Sequence, residues 1–206
     1  MVDAEAYKKL VEEIRNCKKC PLYRTRKNAV PGEGPLEVEV MLIGEAPGRK
    51  EDEQGRPFVG MAGKLLDATL EKVGLSRKSV YITNVVKCRP PGNRDPKQEE
   101  VQACLPYLRK QIELLRPKVI VALGRISGKL LYNLAGLPWK GISKERGKVR
   151  DARLFGIDTK IIATYHPAAA LYNPQLRSSI EHDLRQVAEI KKMNGEGKRK
   201  TLEDFF

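Results

Sequence analysis

The sequence has 206 residues, 41% of them hydrophobic, which is enough for one globular domain with its own core. No apolar run is long enough to cross a bilayer and no basic-then-apolar leader opens the sequence, so we expect a cytoplasmic, nucleoid-associated protein rather than a membrane protein. The 39 Lys and Arg residues outnumber the 26 Asp and Glu residues, and the net charge of +13 favours nucleic acid as a partner over a surface charge that serves only solubility.

The N-terminal segment combines a predicted helix with two of the four cysteines. Apolar spacing predicts an amphipathic helix over residues 3–16. Cys17 and Cys20 then form a Cys-x-x-Cys pair, whereas Cys88 and Cys104 stand apart farther along the chain. In an intracellular protein such residues are more typical of metal ligands than of disulfides. The wide second pair favours a 4Fe–4S cluster over zinc, the runner-up, and free or disulfide-bonded cysteines are the third alternative.

Basic residues flank these cysteines in the sequence. Lys18 and Lys19 lie between the first two cysteines, and Lys87 and Arg89 lie on either side of the third. Because positive charge beside a thiolate stabilises the ionised form, we expect these residues to lower the cysteine pKa values.

The stretch at residues 38–60 carries the first pocket signal. It starts with an apolar run that predicts a strand, and it breaks at Gly44-Glu45-Ala46-Pro47-Gly48. A strand that stops at glycine and proline delivers a loop to the carboxyl edge of a sheet, where open α/β sheets bind ligands. The loop carries carboxylates and the ring of Phe58, which predicts a pocket for a flat polar ligand. Its glycine spacing matches neither a P-loop nor a dinucleotide fingerprint.

The rest of the chain alternates predicted helices and strands. Further strands are predicted at 80–86, 117–123 and 160–164, and helices at 61–73, from a cap at Asp95 to about Leu115, at 125–134 and at 178–193. This alternation predicts an α/β fold of three layers (αβα) with a central, mostly parallel, four-stranded sheet. Residues 1–190 then form a single domain, and residues 191–206 form a flexible basic tail.

Three of the four predicted strands end in polar or pocket-forming residues. These ends are Gly44-Glu45, Asn84 and His166. The carboxyl ends of parallel strands share one edge of the sheet, so residues far apart in the sequence should meet there.

Three motifs resemble those of the iron–sulfur (family four) uracil-DNA glycosylases over roughly residues 5–190. They are GEAPG-RKEDEQGRPFVG-AG at 44–63, Asn84 ahead of Lys87-Cys88-Arg89-Pro90, and His166-Pro167-Ala168-Ala169. The four cysteine positions match too, and the 32% charged fraction is typical of an archaeal or other thermophilic source. The resemblance implies a monomeric glycosylase of the same fold that flips uracil out of DNA and hydrolyses its glycosidic bond, which leaves an abasic site without strand cleavage.

The resemblance assigns uracil binding to Phe58, Asn84, Glu51 and Gly44. Phe58 stacks on the base, and the Asn84 amide accepts from uracil N3–H and donates to O4, a pattern that cytosine inverts. Glu51 crowds the edge where thymine carries its methyl group. A core phenylalanine, a strand-end turn residue and a solvated surface charge are the ordinary alternatives for Phe58, Asn84 and Glu51.

Catalysis is assigned by the same resemblance to His166, Glu45 and Ala46. His166 donates a hydrogen bond to uracil O2 as the base departs, and it needs no charge to do so. The backbone around Glu45 and Ala46 positions the water. Ala46 stands where related branches carry Asp or Asn, so a carboxylate at that position does not activate the water. A satisfied core histidine is the alternative for His166, and His182 is read as structural.

Duplex DNA binding is predicted for a set of basic residues: Arg89, Arg94, Lys144, Arg146, Lys148 and Arg177. The segment at 168–172 is expected to wedge into the minor groove, where Leu171 or Tyr172 fills the gap left by the flipped base. Helix packing is the alternative for this segment.

The C-terminal tail carries a further motif. Leu202, Phe205 and Phe206 have the spacing of a sliding-clamp (PCNA) interaction peptide, with Arg199 where that motif usually has Gln. Because the motif follows a glycine-broken basic linker, we expect clamp binding, and packing against the body is the alternative.

Two other functions compete with uracil excision. One is a metal-stabilised nucleic-acid-binding module without catalysis, and the other is a sister glycosylase for another deaminated base such as hypoxanthine. The trio of Phe58, Asn84 and His166 favours a glycosylase, because a binding module needs no such constellation.

Overall fold

A five-stranded sheet forms the centre of the computed structural model, which describes residues 2–196. The strands are β1 (Val40–Gly44), β2 (Tyr81–Asn84), β3 (Val119–Leu123), β4 (Val149–Leu154) and β5 (Ile157–Thr164). Their order across the sheet is β2-β1-β3-β5-β4. The first three pairings are parallel, and β4 pairs with β5 in antiparallel orientation at one edge. All four predicted strands are therefore present in one mostly parallel sheet.

Eight α-helices accompany the strands within the described residues. They are α1 (Ala4–Arg15), α2 (Arg49–Gln54), α3 (Met61–Lys72), α4 (Gln98–Leu115), α5 (Arg125–Leu134), α6 (Ile142–Glu145), α7 (Ala169–Tyr172) and α8 (Leu176–Glu196). Within residues 2–196, none has the combination of length and apolar character that a bilayer span requires.

The two faces of the sheet are buried under different helices. Alternate residues of β1 point to opposite sides, so Met41 and Ile43 join the core with α1, α4 and α5, whereas Val40 and Leu42 join the core with α3 and α8. Burial on both faces explains why the parallel strands read as continuous apolar runs. The predicted three-layer αβα class is confirmed.

Three details of the sequence prediction were wrong. The strand β4 was missed because it is an edge strand with a half-polar sequence, VRDARL, and its side chains alternate between partly and fully exposed. The helix α2 was missed because its six residues are all polar and carry no apolar period. The helix α4 begins at Gln98 rather than after a cap at Asp95, since the Asp95 carboxylate pairs with Arg125 instead.

A buried ion pair ties α8 to the sheet. Asp183 is fully buried, and it accepts hydrogen bonds from the Thr164 hydroxyl at 2.7 Å and from Arg146 Nε at 3.0 Å. Arg146 also donates to the carbonyl of Ser179 at 2.9 Å. This pair joins the end of β5, the segment before β4 and the last helix.

Replacement of Asp183 tests how much this pair stabilises the fold. We expect Asp183→Ala to lower the free energy of unfolding by about 3 kcal/mol, because it leaves a largely buried guanidinium without its partner. Chemical denaturation measures the loss. Glu181→Ala is the matched control, since its pairs with Lys72 and Arg185 lie at the surface and should contribute about 1 kcal/mol or less. Equal losses in the two variants would contradict the prediction.

Candidate active site

A pocket of about 310 Å³ opens at the carboxyl edge of the sheet, where β1, β2 and β5 end. This size and place are typical of ligand sites in α/β proteins. Its walls are Glu45, Ala46, Pro47, Gly48, Glu51, Phe58, Ala62, Asn84, Pro90, Asn93, Arg94, His166 and Ala168. The expected convergence of the three strand ends is therefore confirmed.

Two aromatic rings lie in direct contact inside this pocket. The centroids of Phe58 and His166 are 5.5 Å apart, and the ring planes differ by 29°. This separation belongs to a contacting aromatic pair, so a flat base cannot insert between the rings.

The backbone of Phe58 is held in an unusual conformation. Its φ angle of 51° lies in the left-handed region, which bulky residues rarely adopt. Arg77 donates to the carbonyls of Pro57, at 3.1 Å, and of Phe58, and Gly63 is close enough that a Cβ there would lie 1.8 Å from the Phe58 oxygen. Strain of this kind persists where the surrounding structure supports it, often at functional sites. The linear sequence gives no sign of this role for Arg77, because nothing there distinguishes it from a surface arginine.

Asn84 lines the pocket with a buried side-chain amide. Its side chain is 1% exposed, and Oδ1 has no hydrogen-bond partner among the described residues. Gly44 makes room for this amide: a Cβ at Gly44 would lie 2.4 Å from Asn84 Oδ1 and 2.6 Å from the Phe58 ring. A buried carbonyl oxygen without a partner is costly, so the site is prepared for a donor from a ligand.

The environment of His166 selects one neutral tautomer. The backbone N–H of Ala168 donates to His166 Nδ1 at 3.1 Å, which places the ring proton of the neutral imidazole on Nε2. Burial lowers the pKa of His166 to about 4, and the nearby Glu51 opposes this shift only in part. At neutral pH the ring is therefore an uncharged donor through Nε2.

Glu51 organises the loop around the pocket. Its carboxylate accepts from the backbone N–H groups of Gly48 at 3.1 Å, Val59 at 2.9 Å and Gly60 at 2.8 Å. These bonds join the start of α2 to the segment that carries Phe58. Sequence analysis assigned Glu51 only to the base edge, and the structure adds this backbone role.

Glu45 lies in the pocket with a shifted pKa. Burial, and after it the negative charge of Asp95, raise the pKa of Glu45 to about 7, although Arg125 opposes the shift. Asp95 itself accepts from Arg125 at 2.7 Å. At neutral pH this carboxyl is thus divided between its two protonation states. Asp95 was predicted as a helix cap, and its role beside Glu45 was missed.

The four cysteines line one cavity on the other side of the β2 end, in company with Lys87 and Tyr107. Donors point at three of the sulfurs: Arg26 Nη1 at 2.9 Å from Cys88 Sγ, the Lys87 N–H at 3.3 Å from Cys104 Sγ, and the Lys19 N–H at 3.5 Å from Cys17 Sγ. Such donors surround metal-bound thiolates. This chemistry fits a cysteine-bound cluster.

The acid–base behaviour of the cysteines differs from the sequence expectation. Burial raises the pKa of Cys104 to about 11 and also raises the pKa values of Cys20 and Cys88, although Arg26 and Lys87 oppose it. The expectation of lowered values was wrong because desolvation outweighs the flanking cations. Within residues 2–196, no group of three or more His, Cys, Asp and Glu side chains is arranged to hold one metal ion.

The predicted DNA-binding residues divide into two groups. Lys144, Lys148 and Arg177 are exposed, although Lys148 also pairs with buried Glu145 at 3.6 Å. In contrast, Arg94 pairs with buried Glu100 at 2.7 Å and Arg146 pairs with Asp183, so much of their charge is offset inside the protein. The reason is that a buried carboxylate requires a cation, which the linear sequence does not reveal. Arg89 donates to Asn93 at 2.7 Å beside the pocket.

The short helix α7 follows His166 and begins beside the pocket. Ala168, just before this helix, lines the pocket, and Ala170 is buried. Leu171 is half-buried, whereas Tyr172 is 91% exposed. Of the two residues predicted to fill a gap in DNA, Tyr172 is thus the one that the surface presents.

Comparisons with known proteins match most of this chain. A family model of the uracil DNA glycosylase superfamily matches residues 31–190. The chain is 51% identical over 181 residues to a type-4 uracil-DNA glycosylase of Saccharolobus solfataricus, covering 87% of this chain and 84% of the relative. It is 50% identical over 186 residues to that of Archaeoglobus fulgidus, covering 90% and 94%. With that of Pyrobaculum aerophilum it shares 54% over 176 residues, covering 85% and 90%.

The neutral state of His166 gives a pH prediction. We expect the NMR signals of its ring to stay those of a neutral Nε2–H imidazole from pH 8 down to about 5, since its pKa lies at about 4. In the unfolded chain the pKa of this histidine is about 6.5. Between about pH 6.5 and pH 4 the unfolded chain therefore binds a proton that the folded chain does not. The free energy of unfolding falls as the pH decreases through this range. Asn in place of His166 should remove that part of the pH dependence. A ring titration near pH 6.5 in the folded protein would contradict the prediction.

Proposed function

This chain belongs to the uracil-DNA glycosylase superfamily, and from that membership we propose how it excises uracil from DNA. The reaction is hydrolysis of the N-glycosidic bond in DNA repair. We propose that the enzyme flips the nucleotide out of the duplex, because a stacked base cannot reach a pocket at the sheet edge. The pocket walls include no lysine, which supports a monofunctional enzyme that leaves an abasic site without cutting the strand. It would act as a monomer inside the cell, where its DNA substrate lies.

The observation that carries the proposal is the unpaired Oδ1 of Asn84. Uracil offers a donor at N3 and an acceptor at O4, so one Asn84 amide satisfies both atoms. Cytosine offers the inverse pattern at these positions, and a fixed amide rejects it. Sites built for one hydrogen-bond pattern discriminate by about 10⁴ or more. Thymine shares the pattern of uracil, and we propose that Glu51 crowds its methyl group.

The placement of the base follows from the two rings. Uracil stacked on Phe58 beside His166 directs an edge at the imidazole, and Nε2–H donates to O2. Departure of uracil leaves negative charge on the base, so this donor is stronger in the transition state than in the ground state. Donors of this kind contribute about 10²–10³ in rate. No proton transfer from a charged imidazole is required.

The sugar needs a water on its other side. We propose that Glu45 and the backbone at Ala46 position this water. In its ionised state Glu45 accepts a hydrogen bond from the water and stabilises the cationic sugar. Because Ala46 brings no functional group, the carboxylate of Glu45 is the candidate for this role.

A uracil-containing duplex tests the function directly. We expect abasic sites, revealed by alkali, from a duplex with one uracil and none from the same duplex with cytosine or thymine. Asn84→Ala should lower kcat/KM by about 10²-fold or more, since it removes the base reader. Asn133→Ala, at an exposed position of α5, is the control and should match the wild type.

Two other outcomes would replace the proposal. Intact DNA binding without any abasic site would indicate the non-catalytic binding module. Abasic sites only at hypoxanthine would indicate the sister glycosylase. The buried Oδ1 of Asn84, which has no partner among the described residues, favours uracil excision. A module that only binds DNA does not need a buried unpaired acceptor.

Contact with duplex DNA involves the rim of the pocket. We propose that Lys144, Lys148 and Arg177 contribute to phosphate binding, with Arg89, and that Tyr172 enters the gap left by the flipped base. Arg94 and Arg146 contribute less, since their charges are offset by Glu100 and Asp183.

A 4Fe–4S cluster is proposed for the cysteine cavity. Cys17, Cys20, Cys88 and Cys104 would hold it, and the group would cross-link the N-terminal segment to β2 and α4. The donors around the sulfurs support a metal group bound through thiolates, and the wide spacing of Cys88 and Cys104 in the sequence favours the cluster over zinc, which remains the runner-up.

Metal analysis of the purified protein tests the cluster. We expect four iron atoms per chain and a broad visible absorption from sulfur-to-iron charge transfer. Cys88→Ser should lose both and unfold at lower temperature, because the cross-link is gone. A colourless protein that contains zinc would overturn the assignment.

The tail is proposed to bind a sliding clamp. Leu202, Phe205 and Phe206 lie outside the described residues, so this proposal depends on their spacing in the sequence alone.

A further inference from the structure

Lys87 is a buried cation between the base pocket and the cysteine cavity. Its side chain is 1% exposed, and Nζ donates to the Asn84 carbonyl at 2.7 Å, to Thr83 Oγ1 at 2.7 Å and to Gln111 Oε1 at 2.6 Å. All three ammonium protons are thus used on neutral acceptors. No carboxylate among the described residues forms an ion pair with it, and its titratable neighbours are Cys104 and Cys88.

The acceptors of Lys87 are themselves fixed. Thr83 Oγ1 donates to the Pro31 carbonyl at 2.8 Å, and Gln111 Nε2 donates to the same carbonyl at 2.8 Å and to the Tyr81 hydroxyl at 3.0 Å. A buried network in which each member is satisfied is rigid. The position of Nζ, and with it that of the Asn84 carbonyl, is therefore determined by contacts from the N-terminal segment, β2 and α4.

The Asn84 side chain needs such support. Its amide must keep one orientation, because half a turn about its last bond would exchange the patterns of uracil and cytosine. Gly44 and Phe58 pack against the amide, but no side-chain bond in the described residues holds Oδ1. The main chain at Asn84 is the remaining point of control, and Lys87 bonds to it directly.

We propose that Lys87 is a positioning residue that sets the orientation of the Asn84 base reader and so contributes to the choice of uracil. This inference rests on the proposed function. Lys87 touches no part of the base; it acts through the carbonyl of Asn84. A charged side chain suits this task, since hydrogen bonds from an ammonium are stronger than those from a neutral donor.

The test compares two affinities in the full chain. One duplex carries 2′-fluoro-2′-deoxyuridine, whose glycosidic bond resists cleavage, and the other carries 2′-deoxycytidine at the same place. The ratio of their dissociation constants isolates recognition of the base. We expect Lys87→Met to reduce this ratio about tenfold, the effect of one hydrogen bond to a charged group, without loss of affinity for the cytidine duplex. Lys72→Met, at an exposed position of α3, is the matched control.

Iron content separates positioning from damage to the cysteine site. A reduced ratio at wild-type iron content supports the proposal. An unchanged ratio of dissociation constants overturns the proposal. A ratio that falls in proportion to a loss of bound iron also overturns it. A variant that is merely less stable loses both affinities alike, keeps its ratio and also counts against the proposal.

A second variant decides the question if Lys87→Met does not fold. Thr83→Val keeps the side-chain volume and removes one of the three acceptors. We expect it to lower the ratio about threefold, the effect of one weakened hydrogen bond, and an unchanged ratio would overturn the inference. If the wild type shows no preference for the uracil duplex, the proposed function is wrong. If the wild type prefers the uracil duplex and Lys87→Met keeps that preference, only the proposed role of Lys87 is wrong.

Discussion

The parallel register of β1 and β2 is the constraint on which the pocket depends. It pairs Gly44 with Asn84, so the residue without a side chain lies beside the residue whose amide needs space. The Phe58 ring fills the remaining room above Gly44. A shift by one residue would exchange the two faces of a strand and move the amide out of the pocket. The geometry of the pocket around Asn84 is thus a product of strand pairing, and the burial of both sheet faces holds that pairing in place.

Burial acts differently on each ionisable group near this edge. It makes His166 a neutral donor, while it brings the pKa of Glu45 into the neutral range with the help of Asp95. Lys87 keeps three hydrogen bonds, and no carboxylate in the described part of the chain pairs with it. The site therefore combines a neutral donor, a carboxyl near its midpoint and a cation. The net charge of +13 does not reveal this arrangement, because Arg94 and Arg146 form ion pairs with buried carboxylates.

The segment from Asn84 to Cys88 serves two sites at once. Asn84 lines the pocket at the sheet edge, and Cys88 lines the cysteine cavity. Lys87 contacts both sites, since its side chain donates to the Asn84 carbonyl and its backbone N–H donates to Cys104 Sγ. A change in either site is therefore expected to reach the other through five residues of chain. This proximity gives the cysteines a physical link to the pocket that requires no electron transfer.

The amino-acid sequence by itself determined the fold class, the four parallel strands and the three strand ends that form the pocket. Continuous apolar runs, glycines at strand ends and the alternation of elements are local signals, and they survive in the linear chain. The tertiary structure alone decided the partners of charged residues: Arg77 on the Phe58 carbonyl, Asp95 beside Glu45 and Lys87 on Asn84. The tertiary structure also determined that residues 149–154 form the edge strand β4, because their half-polar sequence is equally typical of a loop. The physical reason is the same in each case. In the linear sequence a charged side chain is interpreted as exposed to solvent. Only long-range packing removes the water around it and places a specific polar atom beside it as a partner.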